Sequence, residues 1–319
     1  MATEALLFLI RFNVVAGAAI ALVLLLRPFV RRWLGAHQTY VFWLTVPVAL
    51  AGLLIPPMES SGAVGPLESA ADGARDWLWV GSHRWLIAEM WALGVLVSMA
   101  VVAWRYASFL SQARSGRAGP AIVGIVAPRL VTPSDFQARF TPDEQKLVRA
   151  HERAHMDRLD PRWNAVILAV QCLNWFNPLI HLAARAVRFD QELACDATVM
   201  TKLPTQRRLY AETLLRSHCG TASPLGCGWS GAGARLLTTR LTTLLGRRPE
   251  TERSELGDML IAGLWTCVLG AAWLAQPPDR RPYVIFLDIS PAHVTLADQA
   301  GTNVSPGPAA LIGKSRTTS

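Results

Sequence analysis

The sequence predicts a mainly α membrane protein, with four transmembrane helices and one polar, cytosolic α+β domain between the third and the fourth. Three observations predict it. Hydrophobic residues make up 51% of the 319 residues, charged residues only 17%, and the mean hydropathy is +0.27, more apolar than expected of a soluble enzyme. The apolar residues gather into four runs, three within residues 1–110 and one at 256–275. Between the third and fourth lies a polar stretch, residues 111–255, which contains His151-Glu152-Arg153-Ala154-His155.

The first run, residues 6–26, is long enough to span a bilayer. Arg11 interrupts it and is expected to snorkel to the near interface or pack against another span. No small-residue cleavage site followed by a polar mature domain appears, so the run reads as a span and not as a removable signal. Arg27, Arg31 and Arg32 follow it. The second run, residues 40–55, contains Pro47 and is short, but it spans once its flanks are included. The linker at 56–84 carries Glu59, Glu68, Asp72 and Asp76 against Arg75 and Arg84. Trp77, Trp79 and Trp85 read as an interfacial belt. A third run, residues 85–104, is followed by Arg105, Arg114, Arg117 and Arg129. Arginines after the first and third spans, and acids after the second, put the N-terminus outside and the polar domain in the cytosol. The same placement accounts for the net charge of +8 as membrane topology, with the lipid bilayer as partner and no direct nucleic acid. Cys172, Cys195, Cys219, Cys227 and Cys267 are odd in number and lack CxxC spacing, so they read as reduced thiols.

In the polar domain, two short β-rich runs flank Pro128 and suggest a hairpin. Thr141-Pro142-Asp143-Glu144 is a capping box that starts a helix running to about residue 159. Asp160-Pro161 starts the next. Residues 163–184 carry no charge, yet Asn164, Gln171, Asn174, Asn177 and Pro178 argue for two buried helices joined at Asn177-Pro178. The alternative is a segment dipping into the membrane surface. Further helices are expected at 185–203 and 209–217, a mobile Gly- and Ser-rich loop at 220–233, and a basic helix at 235–248 suited to an anionic membrane surface. The last span, 256–275, leaves a tail at 276–319 outside the membrane. That tail holds one β-prone run at 283–289, reads as otherwise disordered, and is too short for a sizeable ligand-sensing domain.

The chemistry resides in the His-Glu-x-x-His pattern. Residues four apart share a helix face, so His151 and His155 can present two imidazoles to one metal ion. Glu152 stands beside them, where it can take a proton from water. A catalytic zinc has a third protein ligand and an open position. Glu192 is the leading candidate on a predicted helix, with Asp190, Asp196 and His181 as alternatives. Asp196, four residues after Glu192, can accept the free N–H of a ligand histidine and fix its tautomer. His181 otherwise reads as a satisfied core or interface group, and Cys195 as a small packed residue.

Residues 120–275 resemble the bacterial membrane zinc peptidases of the BlaR/MecR type. The stretches that carry the resemblance are Pro128-Arg129-Leu130-Val131, the block from His151 to Asp160, Asn174-Trp175-Phe176-Asn177-Pro178, Glu192-Leu193-Ala194-Cys195-Asp196 and Tyr210-Ala211-Glu212-Thr213-Leu214-Leu215. The arrangement of spans matches as well. The resemblance implies a gluzincin-like domain with Zn2+ on His151, His155 and Glu192 and with Glu152 as catalytic base. It implies a multi-pass protein of the bacterial plasma membrane that signals by cleaving itself or a cytosolic winged-helix repressor. The tail departs from the antirepressors, which end in a large penicillin-binding sensor, so direct β-lactam sensing is not expected. A separate sensor protein and a second copy of the chain are further candidate partners. Tyr210 and His218 are candidates for stabilising the oxyanion. Arg247-Arg248 is a candidate self-cleavage site, against the plainer reading of a positive-inside cluster. Two other classes compete: a non-catalytic signalling scaffold with a structural or vestigial metal site, and a transporter with a fortuitous motif. A scaffold has no need of Glu152, and the spans carry few of the charges a transporter uses.

Overall fold

The computed structural model describes residues 2–56, 83–217, 232–246 and 255–276, together with residues 296–297 and 303–304. The mobile loop expected at 220–233 lies mostly outside the described residues. So do Arg247-Arg248, His218, Cys219, Cys227, the acidic linker and the β-prone run at 283–289.

Three described helices are long and apolar enough to cross a membrane: Leu6–Phe42, Trp85–Arg114 and Glu255–Leu274. The first belongs to α1 (Ala2–Phe42), which breaks at Gly35 (φ 90°, ψ 179°), a conformation open to a residue without a Cβ. The chain folds back there. Val23 packs in one cluster with Phe42 and Trp43, while Val15 and Ala19 pack with Ala49. The second apolar run is therefore not one straight helix. It is the end of α1 followed by α2 (Thr45–Gly52), an antiparallel return limb. The final helix, α10 (Glu255–Leu274), runs parallel to that limb: Gln38 donates to Asp258 and the Trp265 indole to Thr45 Oγ1. The third span, α3 (His83–Arg114), is the least covered, and its apolar stretch presents Leu93, Leu96 and Val97 outward.

Beyond α3 the chain forms an antiparallel pair, β1 (Ala121–Val123) with β2 (Arg129–Val131), in which Ile122 sits opposite Leu130. Pro128 lies just ahead of β2, outside the ladder, as its missing N–H requires. A single turn, α4 (Phe136–Arg139), leads into α5 (Pro142–Asp157), which carries the His-Glu-x-x-His pattern. Both halves of the expected capping box are present: Thr141 Oγ1 accepts from the Glu144 N–H, and Glu144 Oε2 accepts from the Thr141 N–H at 2.9 Å. Glu144, Leu147, Val148, His151, Ala154 and His155 form the buried stripe of α5 at helical spacing. The two histidines are thus part of the face that the core already claims.

Helices α6 (Asp160–Leu173) and α7 (Pro178–Lys202) form a hairpin joined at Asn177-Pro178, where Asn177 caps α7 through the Leu179 N–H. The sequence reading is corrected in two respects. No break occurs near residue 185, so α7 is one helix, about 37 Å long. Nor is the hairpin buried on every side. It lies along α1 with Val166, Leu173, Trp175, Phe176 and Leu182 exposed. The last 13 residues of α7 pass beneath α5, and α8 (Arg207–Ser217) and α9 (Ala232–Leu245) complete a core of Leu147, Val199, Met200, Tyr210, Leu214 and Leu244. A separate unit contains β3 (Leu296–Ala297), paired antiparallel with β4 (Asn303–Val304).

One close approach fixes the hairpin against α3. A Cβ on Gly94 would collide with the Trp175 indole, which donates from Nε1 to the Trp91 carbonyl. Gly94→Ala is expected to destabilise the folded protein by about 1–3 kcal/mol, the usual range for overpacking. Chemical unfolding in detergent, followed by tryptophan fluorescence, measures the change.

Candidate metal centre

The centre is assembled from two helices that cross. α5 supplies His151, Glu152 and His155, and α7 supplies Glu192. The Nε2 atoms of His151 and His155 are 3.2 Å apart. Glu192 Oε2 lies 3.5 Å from His151 Nε2, and Oε1 lies 3.7 Å from His155 Nε2. Donors held about 2.0–2.2 Å from one tetrahedral ion are separated by roughly 3.3–3.6 Å. The two imidazoles and the carboxylate therefore fit a divalent ion such as zinc in chemistry and spacing. Glu152 is half-buried and faces the cleft on the same side, whose lining includes Ala121, Ile122, Pro161, Asn164 and Gln191.

The structure separates the candidates for a third ligand. Asp190 points away, taking two bonds from Arg27 (2.6 and 2.9 Å) and one from the Trp43 indole. His181 lies along the hairpin, bonded to Gln171 and the Trp175 carbonyl. Cys195 is fully buried, with its Sγ 2.8 Å from Arg158 Nη2 and in the same cluster as the two histidines, within 4.8 Å of their ligand atoms. Burial pushes its thiol well up in pKa, and its Sγ is engaged by the Arg158 guanidinium. Glu192 alone among these presents charge to both imidazoles.

The layer behind the donors departs from expectation. Asp196 was expected to take a histidine N–H directly, yet its Oδ1 is 3.4 Å from His151 Nδ1, with the Tyr210 hydroxyl between them. That hydroxyl lies 2.8 Å from His151 Nδ1 and 2.6 Å from Asp196 Oδ1. Tyr210 is buried behind His151 and does not face the cleft, so its reading as an oxyanion donor is corrected. His155 has its own carboxylate: Asp160 Oδ2 is 2.7 Å from His155 Nδ1 and also accepts from Arg158 at 2.8 Å. Leu159, in the left-handed region (φ 60°, ψ 26°), bends the chain so that Asp160 returns beneath α5.

Arg240 is the member that sequence reasoning missed. The basic helix expected on a lipid surface instead turns this arginine inward, 3% exposed. It forks onto both oxygens of Asp196 at 2.7 Å and reaches Glu192 Oε2 at 2.7 Å. The legible signal was a charge on the helical face shared by Leu237, Leu241 and Leu244.

The electrostatics follow from these contacts. Burial opposes ionisation of Asp196, but Arg240 and His151 outweigh it and hold its pKa at about 2. Burial likewise opposes ionisation of Glu192, and Arg240 with the two histidines keeps it well below the ordinary range. Burial disfavours a charged His151, yet the carboxylates of Asp196 and Glu192, 3.4 and 3.5 Å from its ring nitrogens, raise its pKa to about 9. A site so rich in carboxylate attracts cations, a proton when no metal competes. For Glu152 the burial effect wins over the nearby histidines and the pKa is raised.

Comparison with known proteins places this geometry in context. Residues 112–244 match the family model described as BlaR1 peptidase M56. Over 162 residues the chain is 26% identical to the regulatory protein BlaR1 of Bacillus licheniformis, covering 50% of this chain and 26% of that protein. Over 98 residues it is 24% identical to the methicillin resistance mecR1 proteins of Staphylococcus aureus and Staphylococcus epidermidis, covering 30% of this chain and 17% of each. The chain thus spans about a quarter or less of the length of these curated relatives.

Proposed function

With residues 112–244 the chain belongs to the BlaR1 peptidase M56 family, and on that premise we propose that it is a membrane zinc metalloendopeptidase of signal transduction. The observation that carries the reading is the triangle of His151, His155 and Glu192 donors beside Glu152. Zinc held there supplies a Lewis acid for the scissile carbonyl and makes water a nucleophile near neutral pH. Glu152 receives the proton of the attacking water and delivers it to the departing amine nitrogen. Tyr210 and Asp160 hold His151 and His155 in the tautomers that leave each Nε2 facing Glu192. Among the described residues β1 pairs only with β2, and Ala121 and Ile122 line the cleft, so the other edge of β1 is offered to an extended substrate chain.

The setting proposed is the bacterial plasma membrane, with the N-terminus outside and the metal centre carried by residues 111–255 on the cytosolic side. The arginine clusters support this orientation, and the parallel pairing of residues 38–52 with α10 supports four crossings. The substrate proposed is the chain itself or a cytosolic transcriptional repressor of winged-helix type, with a separate sensor and a second copy as candidate partners.

Metal content tests the reading without a known substrate. Protein purified in detergent is expected to carry stoichiometric zinc, and His155→Ala to carry none. Asp160→Asn is expected to retain zinc with about 10–100-fold weaker affinity, measured by competition with a chelator. Wild-type protein that binds no zinc under these conditions would overturn the proposal.

A further inference from the structure

We infer that the helical hairpin formed by α6 and α7 is seated in the bilayer between the first and third spans, so that the candidate metal centre opens at the membrane surface. The inference does not depend on the peptidase reading.

Two spans give the depth independently. At the foot of the hairpin Asp190 is bonded to Arg27, within the arginine cluster that ends the first apolar run. At its tip Asn13 Nδ2 donates to Asn174 Oδ1 at 2.8 Å, and Asn177 Nδ2 donates to Asn13 Oδ1 at 2.7 Å. Fourteen helical residues separate Arg27 from Asn13, a rise of about 21 Å. On α3 the Trp91 indole donates to the Leu173 carbonyl near the tip, and Arg105 closes the apolar stretch the same number of residues later. Both registers place the tip about two-thirds of the way into a hydrocarbon layer roughly 30 Å thick.

The composition of the hairpin suits that place. Residues 163–184 carry no charge, while Arg158 and Arg162 precede them and Arg185 and Arg188 follow, so both feet are basic and lie at the same end. Val166, Leu173, Phe176 and Leu182 are 44–53% exposed, comparable to residues on the bare face of α3. The polar groups are consumed internally, as a lipid surround demands. Gln171 bonds His181 and Arg188, His181 bonds the Trp175 carbonyl, and Asn174 bonds the Val170 carbonyl and Asn13. The exception among them is Asn164, whose buried Oδ1 has no protein partner and lies in the wall of the cleft at the foot of the hairpin. Ile125 and Val126 are exposed in the turn beside it, and Arg162 binds both of their carbonyls. A chain entering the cleft therefore does so along the membrane surface, between the β1–β2 turn and α6.

The test uses the wild-type chain in liposomes of phosphatidylethanolamine and phosphatidylglycerol that contain a phospholipid with a diazirine on its acyl chain. After photolysis, peptides from residues 163–184 are expected to carry lipid adducts at the level of residues 85–104 and well above residues 142–157. Adducts on 85–104 with only background on 163–184 would overturn the inference. A charge provides a second measure. Leu182→Asp is expected to lower the yield of folded protein about tenfold or more, the cost of a carboxylate in lipid. Leu215→Asp, on a comparably exposed residue of α8, is expected to leave the yield within about twofold. Equal yields from the two variants would also count against the inserted hairpin.

Discussion

Glu152→Gln is expected to bind zinc as the wild-type protein does and to lose peptide hydrolysis by roughly 10²–10⁴-fold, the usual contribution of a positioned general base. The amide keeps the size of the side chain but cannot take a proton from water. Glu152 does not belong to the donor triangle, so the metal has no reason to leave. The measurement pairs zinc content with a proteomic comparison of membranes carrying wild-type or variant protein. Peptides that appear only with the wild type identify both the activity and its substrates. Unchanged cleavage by the variant would remove Glu152 from the proposed chemistry even with zinc in place.

Arg240→Ala is expected to cost about 3–5 kcal/mol of folding stability, because it strands two buried carboxylates, Glu192 and Asp196, without their cation. Chemical unfolding in detergent, with and without zinc, measures this. Added zinc is expected to recover part of the loss, since a cation beside Glu192 replaces some of the missing charge. Arg240→Lys is expected to restore less than half, because a single ammonium cannot make three forked bonds to two carboxylates. A variant as stable as the wild type in the absence of metal would show that the cluster is not held by this arginine.

Local signals were legible. The Thr141 box, the start at Asp160-Pro161 and the joint at Asn177-Pro178 depend on backbone groups within a few residues, and each formed where its sequence placed it. The proximity of the proposed donors was legible in part for the same reason: His151 and His155 share a face by helix geometry alone, and Glu192, the preferred candidate for a third donor, lies 3.5 and 3.7 Å from their Nε2 atoms. Features that depend on distant packing were not. Asp196 was expected to meet a histidine directly, but Tyr210 on α8 fills the intervening space. Asp160 looked like a helix start, and a left-handed Leu159 was needed to turn it under His155. Arg240 looked like a surface charge, although it lies 44 residues beyond its partner Asp196.

By itself, then, the sequence determined the helical membrane class, the periodic burial of the two histidines and the residue types able to hold zinc. These follow from hydropathy, helix repeat and ligand chemistry, all of which act over short spans of chain. The tertiary structure alone decided that Arg240 neutralises the carboxylates, that Tyr210 and Asp160 orient the imidazoles, and that the uncharged hairpin lies along the first span. Those outcomes depend on which buried charge finds which partner and which apolar face finds which neighbour. The free energy that decides such pairings exists only once the helices have packed.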